Sequence, residues 1–250
     1  CHTKLGDAFA SVQAELKAVP EADEAGATAT VVLIHKMEDT SIKVWFAWTG
    51  DSRAVAIGED GKKLEETKDH KVETEKDAII ERGGYVESDR VMYRAGGELA
   101  TMAIGRSLGD FSAHAAGVSH EPDVVSFNVK SKDVIVVGSD GIWDFITYDG
   151  DEDTKGSWKF VKDPAGPRAT LTVDMQGPTA GIVAKLANAA KNLWRAHHGV
   201  ARSPDDKPKT LEVTDTADIR YSCGPIQHIK ERVRSTVYQD DITCMSIRFK

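Results

Sequence analysis

Residues 134–146, Val-Ile-Val-Val-Gly-Ser-Asp-Gly-Ile-Trp-Asp-Phe-Ile, constrain the fold more than any other stretch of the chain. A four-residue apolar run predicts a buried strand, and Gly138-Ser139 ends it. Two carboxylates, Asp140 and Asp144, follow where the chain leaves the sheet, and their spacing places them on one side of an ensuing helical turn. A carboxylate at a buried strand end is costly to desolvate unless a cation or a hydrogen-bond donor meets it. Hard cations such as Mg²⁺ and Mn²⁺ take oxygen ligands of this kind. The plainer alternative is that Asp140 caps a helix and Asp144 is only solvated. The remaining segments have to decide between them.

Leu5, Phe9, Val12, Leu16 and Val19 recur at three- and four-residue steps, which predicts an amphipathic helix running to Pro20. Three β-branched or aromatic runs follow, at 27–35, 42–48 and 53–57, the last closed by Glu59-Asp60-Gly61. Together they predict an antiparallel meander, not a βαβ series. Thr49-Gly50-Asp51-Ser52 joins the second and third runs, and taken alone Gly-Asp there needs to be no more than a turn. Residues 74–82 predict a helix stopped by Gly83-Gly84. A hairpin turning at Ser88-Asp89 comes next, and residues 111–121 read as a surface loop. Arg106 and Asp110 stand at a spacing that would pair them on a helix. Val124, Val125, Phe127 and Val129 predict the strand that leads into the central one.

The 250 residues and a 40% hydrophobic content suffice for a sizeable core. Thirty-two basic against forty acidic residues leave a net charge of −8, which argues against nucleic acid or an acidic membrane as the main partner. Cys1, Cys223 and Cys244 are odd in number and widely spaced, so neither a disulfide framework nor a zinc site is expected. A soluble, monomeric, cytoplasmic or nuclear protein is the expectation.

The ordered set of segments is more specific than any member. Gly26-Ala-Thr-Ala, Gly50-Asp51-Ser-Arg-Ala-Val, Asp69-His70-Lys71, Glu81-Arg-Gly-Gly-Tyr-Val, Arg106-Ser-Leu-Gly-Asp110, Glu121-Pro-Asp-Val, Gly138-Ser-Asp140-Gly-Ile-Trp-Asp144 and Asp240-Asp241-Ile-Thr243 together resemble the protein phosphatase 2C family of metal-dependent serine/threonine phosphatases. The resemblance is nearly continuous over 1–148 and sparse beyond. It implies an α+β fold, a four-layer αββα sandwich of two antiparallel sheets flanked by helices. It also implies hydrolysis of phosphoserine and phosphothreonine on phosphoprotein substrates with two or three Mn²⁺ or Mg²⁺ ions. Asp140 and Asp240 match the family's main metal-binding aspartates. Asp51 and Asp144 match aspartates associated, with Asp140, with a further cation position. Arg106 matches an arginine that either contacts substrate or pins a loop, and His70 matches a loop motif, which implies a structural role.

The sequence also departs from that pattern. Family members carry an Asp-Gly-His-Gly-Gly segment upstream of the helix equivalent to 5–19, with a strand bearing an acidic residue and an arginine for phosphate, and no Asp-Gly-His occurs here. Two explanations follow: an N-terminally incomplete piece of an active phosphatase, its first strands missing, or a relative that binds without catalysing. The first is expected, since loss of those strands would leave sheet edges unpaired. The second would make the chain an interaction or regulatory module.

Beyond Thr147 the expectation is one domain spanning 1–250 with an insertion at 148–178, read as a solvent-exposed hairpin. An apolar stripe from Ile182 to Trp194 predicts a core helix. Residues 203–218 read as a polar loop and 225–233 as a short helix. Alternation over 242–249 predicts a closing strand with Asp240 at its start.

Overall fold

The computed structural model describes residues 1–39, 41–150, 155–161, 170–197, 227–231 and 242–249. Asp240 and the expected loop at 203–218 lie outside the described residues. Helix α1 (His2–Leu16) opens the chain, followed by a 3-10 turn at Pro20–Asp23, β1 (Gly26–Ala27), β2 (Ala29–Lys36), β3 (Ile42–Thr49), β4 (Arg53–Ile57) and β5 (Lys63–Glu66). Helix α2 (Val72–Glu81) leads into β6 (Tyr85–Glu87), β7 (Arg90–Ala95), β8 (Glu98–Met102), β9 (Leu108–Gly109), α3 (Phe111–His114) and β10 (Asp123–Val129). Then come β11 (Val134–Gly138), α4 (Asp140–Trp143), β12 (Ile146–Asp149), β13 (Ser157–Phe160), β14 (Thr170–Leu171), α5 (Thr179–His197), β15 (Gln227–Glu231) and β16 (Ile242–Arg248). The protein is thus α+β, with antiparallel sheets and helices.

Two compact units divide the chain: one of residues 1–36, 43–52 and 67–127, the other of 37–42, 53–66 and 128–250. In the first, strands run in the order β10-β3-β2, and β6-β7-β8 form a separate meander. Ser88 and Asp89 both adopt positive φ, 50° and 55°, as the hairpin turn at that dipeptide requires. Val72 and Ile79 of α2 pack with Val91, Ala113 and Val118 in one buried cluster. Residues 111–121 are therefore not simply a surface loop, because α3 and Val118 fill space beneath the meander. Helix α1 departs from its apolar stripe as well. Phe9 is buried, but Val12 is 44% exposed and the polar Gln13 is buried. Gln13 earns that place by a two-way clasp: its Oε1 accepts the Gly109 N–H at 2.8 Å and its Nε2 donates to the Gly109 carbonyl at 3.2 Å.

In the second unit β11 lies inside the five-stranded sheet β15-β16-β11-β4-β5, paired antiparallel with β16 on one side and β4 on the other. Flanked on both sides, it can carry the continuous apolar run that the sequence displays. Helix α5 packs against β16 and buries Ile182, Val183, Leu186 and Ala190 in the same cluster as Val134 and Val136.

Three further expectations need correction. The runs at 27–35, 42–48 and 53–57 do not form one meander, because β2 and β3 belong to one sheet and β4 to another, the chain changing sheets at Gly50-Asp51. Residues 227–231 are a strand, not a helix, paired with β16 from Gln227↔Ser246 to Glu231↔Ile242. A segment this short has little helical preference of its own, and an adjoining strand edge satisfies its backbone instead. Finally, the described residues of the segment at 148–178 do not stand apart as a solvent-exposed hairpin. Strands β13 and β14 join β12 in one sheet, and Tyr148 and Trp158 are 3% and 2% exposed within the main core cluster. The Trp158 ring meets Tyr148 edge-on at 5.1 Å and stacks on Trp143 at 6.3 Å.

Candidate functional site

The two carboxylates after β11 lie where their spacing predicts. Ser139, in extended conformation, occupies the cap position of α4, Asp140 is the first helical residue, and Asp144 ends the turn. The Asp144 N–H donates to the Asp140 carbonyl at 2.8 Å, closing the turn that sets the two side chains one above the other. Asp140 Oδ1 accepts the Gly141 N–H at 2.8 Å, which orients the carboxylate. Ser139 is stapled to β16, its N–H donating to the Thr243 carbonyl at 3.0 Å and its Oγ accepting the Thr243 N–H at 3.2 Å. Trp143 Nε1 donates back to the Gly138 carbonyl at 2.7 Å. A Cβ on Gly138 would stand 3.1 Å from both the Thr243 carbonyl oxygen and Trp143 Nε1, so glycine there permits the close approach.

Asp51 belongs to the first unit, in the turn between β3 and β4. Gly50 takes φ +97°, and the turn is held from two directions. Thr28 and Ser52 hydroxyls lie 2.8 Å apart, and Thr30 Oγ1 donates to the Ser52 carbonyl at 2.7 Å. On the other flank the His70 N–H donates to the Gly50 carbonyl at 3.0 Å, and the Gly50 N–H donates to His70 Nδ1 at 3.1 Å. The sequence reading of His70 as a loop residue missed this contact, since nothing local links positions 50 and 70.

Arg106 does not pair with Asp110. Residues 108–109 form a strand and Asp110 has φ 47°, so the four-residue spacing brings no contact there. Instead the guanidinium grips Glu75 at 2.8 and 2.9 Å and donates through Nη1 to Asp123 Oδ1 and the Glu121 carbonyl, both at 3.0 Å. It pins a loop. Asp123 is held well below the usual aspartate range, at about 2, first by the hydrogen bond from His70 and then by the nearby Arg106 charge, against an opposing desolvation.

Oxygen donors of the Asp140 and Asp144 type suit a hard divalent cation. Among the described residues, however, no three His, Cys, Asp or Glu side chains are gathered closely enough to hold one. The described carboxylates therefore fit a cation by chemical type without forming a complete ligand set among themselves.

This α+β arrangement, with carboxylates at the exits of buried strands, has counterparts of known family. The sequence model of protein phosphatase 2C matches residues 2–150. The chain belongs to the protein phosphatase 2C family. It is 34% identical over 165 residues to "Probable protein phosphatase 2C 9" of Arabidopsis thaliana, covering 65% of this chain and 54% of that protein. A second relative, "Probable protein phosphatase 2C T23F11.1" of Caenorhabditis elegans, is 37% identical over 138 residues, covering 50% of this chain and 35% of the relative. The chain spans about half the length, or less, of the curated relatives it matches. The crystal structure of serine-threonine phosphatase 2C from Toxoplasma gondii shares the fold at a TM-score of 0.56 and 18% identity, over 98% of this chain and 65% of that one. No described helix is long and apolar enough to cross a membrane.

Proposed function

We propose that the complete protein is a metal-dependent serine/threonine phosphatase acting on phosphoproteins. The observation that carries this reading is the Asp140 to Asp144 turn at the exit of β11, inside the span that matches the family. Asp140 and Asp240 would hold Mn²⁺ or Mg²⁺, and Asp51 and Asp144 would each serve as a further cation ligand. The chemistry a divalent pair supplies when bound is activation of water for in-line attack on phosphorus and neutralisation of the departing oxygen. The residues of this chain contribute orientation. The Gly141 N–H fixes one Asp140 oxygen, and the Ser139 to Thr243 staple fixes the backbone that carries it.

Calorimetric titration with Mn²⁺, beside phosphate release from a phosphothreonine peptide, tests the proposal. Asp140→Asn should weaken Mn²⁺ binding at least tenfold and abolish any Mn²⁺-dependent release. Unchanged binding would remove Asp140 from the metal centre. A folded chain that neither binds Mn²⁺ nor releases phosphate fits both the incomplete phosphatase and the non-catalytic interaction module, and recovery of release on adding an upstream Asp-Gly-His segment decides for the phosphatase.

A further inference from the structure

The His70 imidazole is 3% exposed and has both ring nitrogens engaged. Nδ1 accepts the Gly50 N–H at 3.1 Å, so it carries no proton, and the proton resides on Nε2, 3.3 Å from Asp123 Oδ2. Asp123 is held in turn by Arg106, and Arg106 by the Glu75 fork. Trp48 lies parallel to the ring, 6° off plane with centroids 5.9 Å apart, and its Nε1 donates to the Lys68 carbonyl at 2.7 Å. The ring therefore has one tautomer and one orientation, enforced by groups that come from four separate stretches of chain. All of that order is delivered to a single amide, the one preceding Asp51.

We infer that His70 is a positioning residue for Asp51: its unprotonated Nδ1, held in place by Asp123 and Arg106, sets the Gly50-Asp51 turn so that the carboxylate is presented to a divalent cation. The inference rests on the proposed role of Asp51 as a cation ligand. Residues that orient a ligand from behind typically alter metal affinity ten- to a hundredfold. Packing alone would demand only a flat ring beside Trp48. The positioning role demands an acceptor atom at the Nδ1 place.

Two substitutions of similar polarity separate these roles. Asparagine carries its acceptor oxygen as far from the backbone as Nδ1, whereas glutamine carries it one bond further, past the Gly50 amide. His70→Asn should keep Gly50 amide hydrogen exchange near wild type, and His70→Gln should accelerate it roughly tenfold, as loss of one buried hydrogen bond implies. In parallel, Mn²⁺-induced broadening of the Asp51 and Ser52 amide signals should need roughly tenfold more Mn²⁺ in His70→Gln than in His70→Asn. Nitrogen-15 shifts of the wild-type ring should report an unprotonated Nδ1 and a protonated Nε2 at neutral pH. Equal broadening in both variants, with loss of broadening in Asp51→Asn, would overturn the inference while leaving Asp51 a ligand. Broadening that survives Asp51→Asn would sink the reading of Asp51 itself, and the positioning role with it. These two failures are distinguishable because Asp51→Asn leaves the His70 ring in place.

Discussion

Arg106 and Glu75 meet as a two-point fork, Nε to Oε2 at 2.8 Å and Nη2 to Oε1 at 2.9 Å, with both side chains largely shielded from water. The fork joins α2 to the loop that precedes β9. Its planar geometry matches a carboxylate in a way that an ammonium group cannot.

Arg106→Ala should therefore destabilise the chain by about 3 kcal/mol, because Glu75 and Asp123 would be left without their cation. Arg106→Lys should recover only part of that, having charge but no fork. Urea unfolding of both variants checks the order. Equal stability of the lysine variant and the wild type would mean that charge alone suffices.

Asp123 gives the fold an acid-sensitive window. Its carboxyl sits at about 2, below the ordinary 3.8, so its stabilising contribution is complete above the ordinary value and disappears as pH falls towards 2. Its side chain is 48% exposed, so the effect is modest. Unfolding free energy measured between pH 5 and pH 2 should fall less steeply in Asp123→Asn than in the wild type. Parallel slopes would show that other carboxylates dominate that window.

Gly50→Ala should cost at least about 2 kcal/mol. The residue has φ +97°, and an added Cβ would stand 2.3 Å from Thr28 Cγ2. Thermal unfolding of the variant reports this. A wild-type melting temperature would mean that the turn can reshape freely.

Trp158→Ala should cost about 3–5 kcal/mol, as removal of a fully buried indole does. Denaturant unfolding separates this outcome from the near-neutral effect expected of a surface hairpin. A change below about 0.5 kcal/mol would return the segment at 148–178 to the surface.

What could be read from the sequence was local. The run Val134 to Val137 announces a buried strand because four consecutive apolar residues leave no face for water, and Gly138-Ser139 marks its end in any surroundings. Asp140 and Asp144 share a turn because four residues make one. Gly83-Gly84 and Ser88-Asp89 carry backbone preferences that need no partner, and the stripe of α5 follows from helical periodicity. The order of such local segments carries the family resemblance.

Tertiary structure decided whatever depends on a partner distant in sequence. The chain changes sheets at Gly50-Asp51 because β4 finds β11, some eighty residues on. Residues 227–231 become a strand because β16 offers an edge. Gln13 is buried while Val12 is not because Gly109 presents both an amide and a carbonyl to one side-chain amide. Trp158 is core because Tyr148 and Trp143 receive it. His70 passes from an ordinary loop histidine to the support of Asp51 through hydrogen bonds to Gly50 and Asp123, twenty and fifty-three residues away. Periodicity and turn chemistry act over a few residues, whereas burial and side-chain hydrogen bonding are fixed only when distant segments meet.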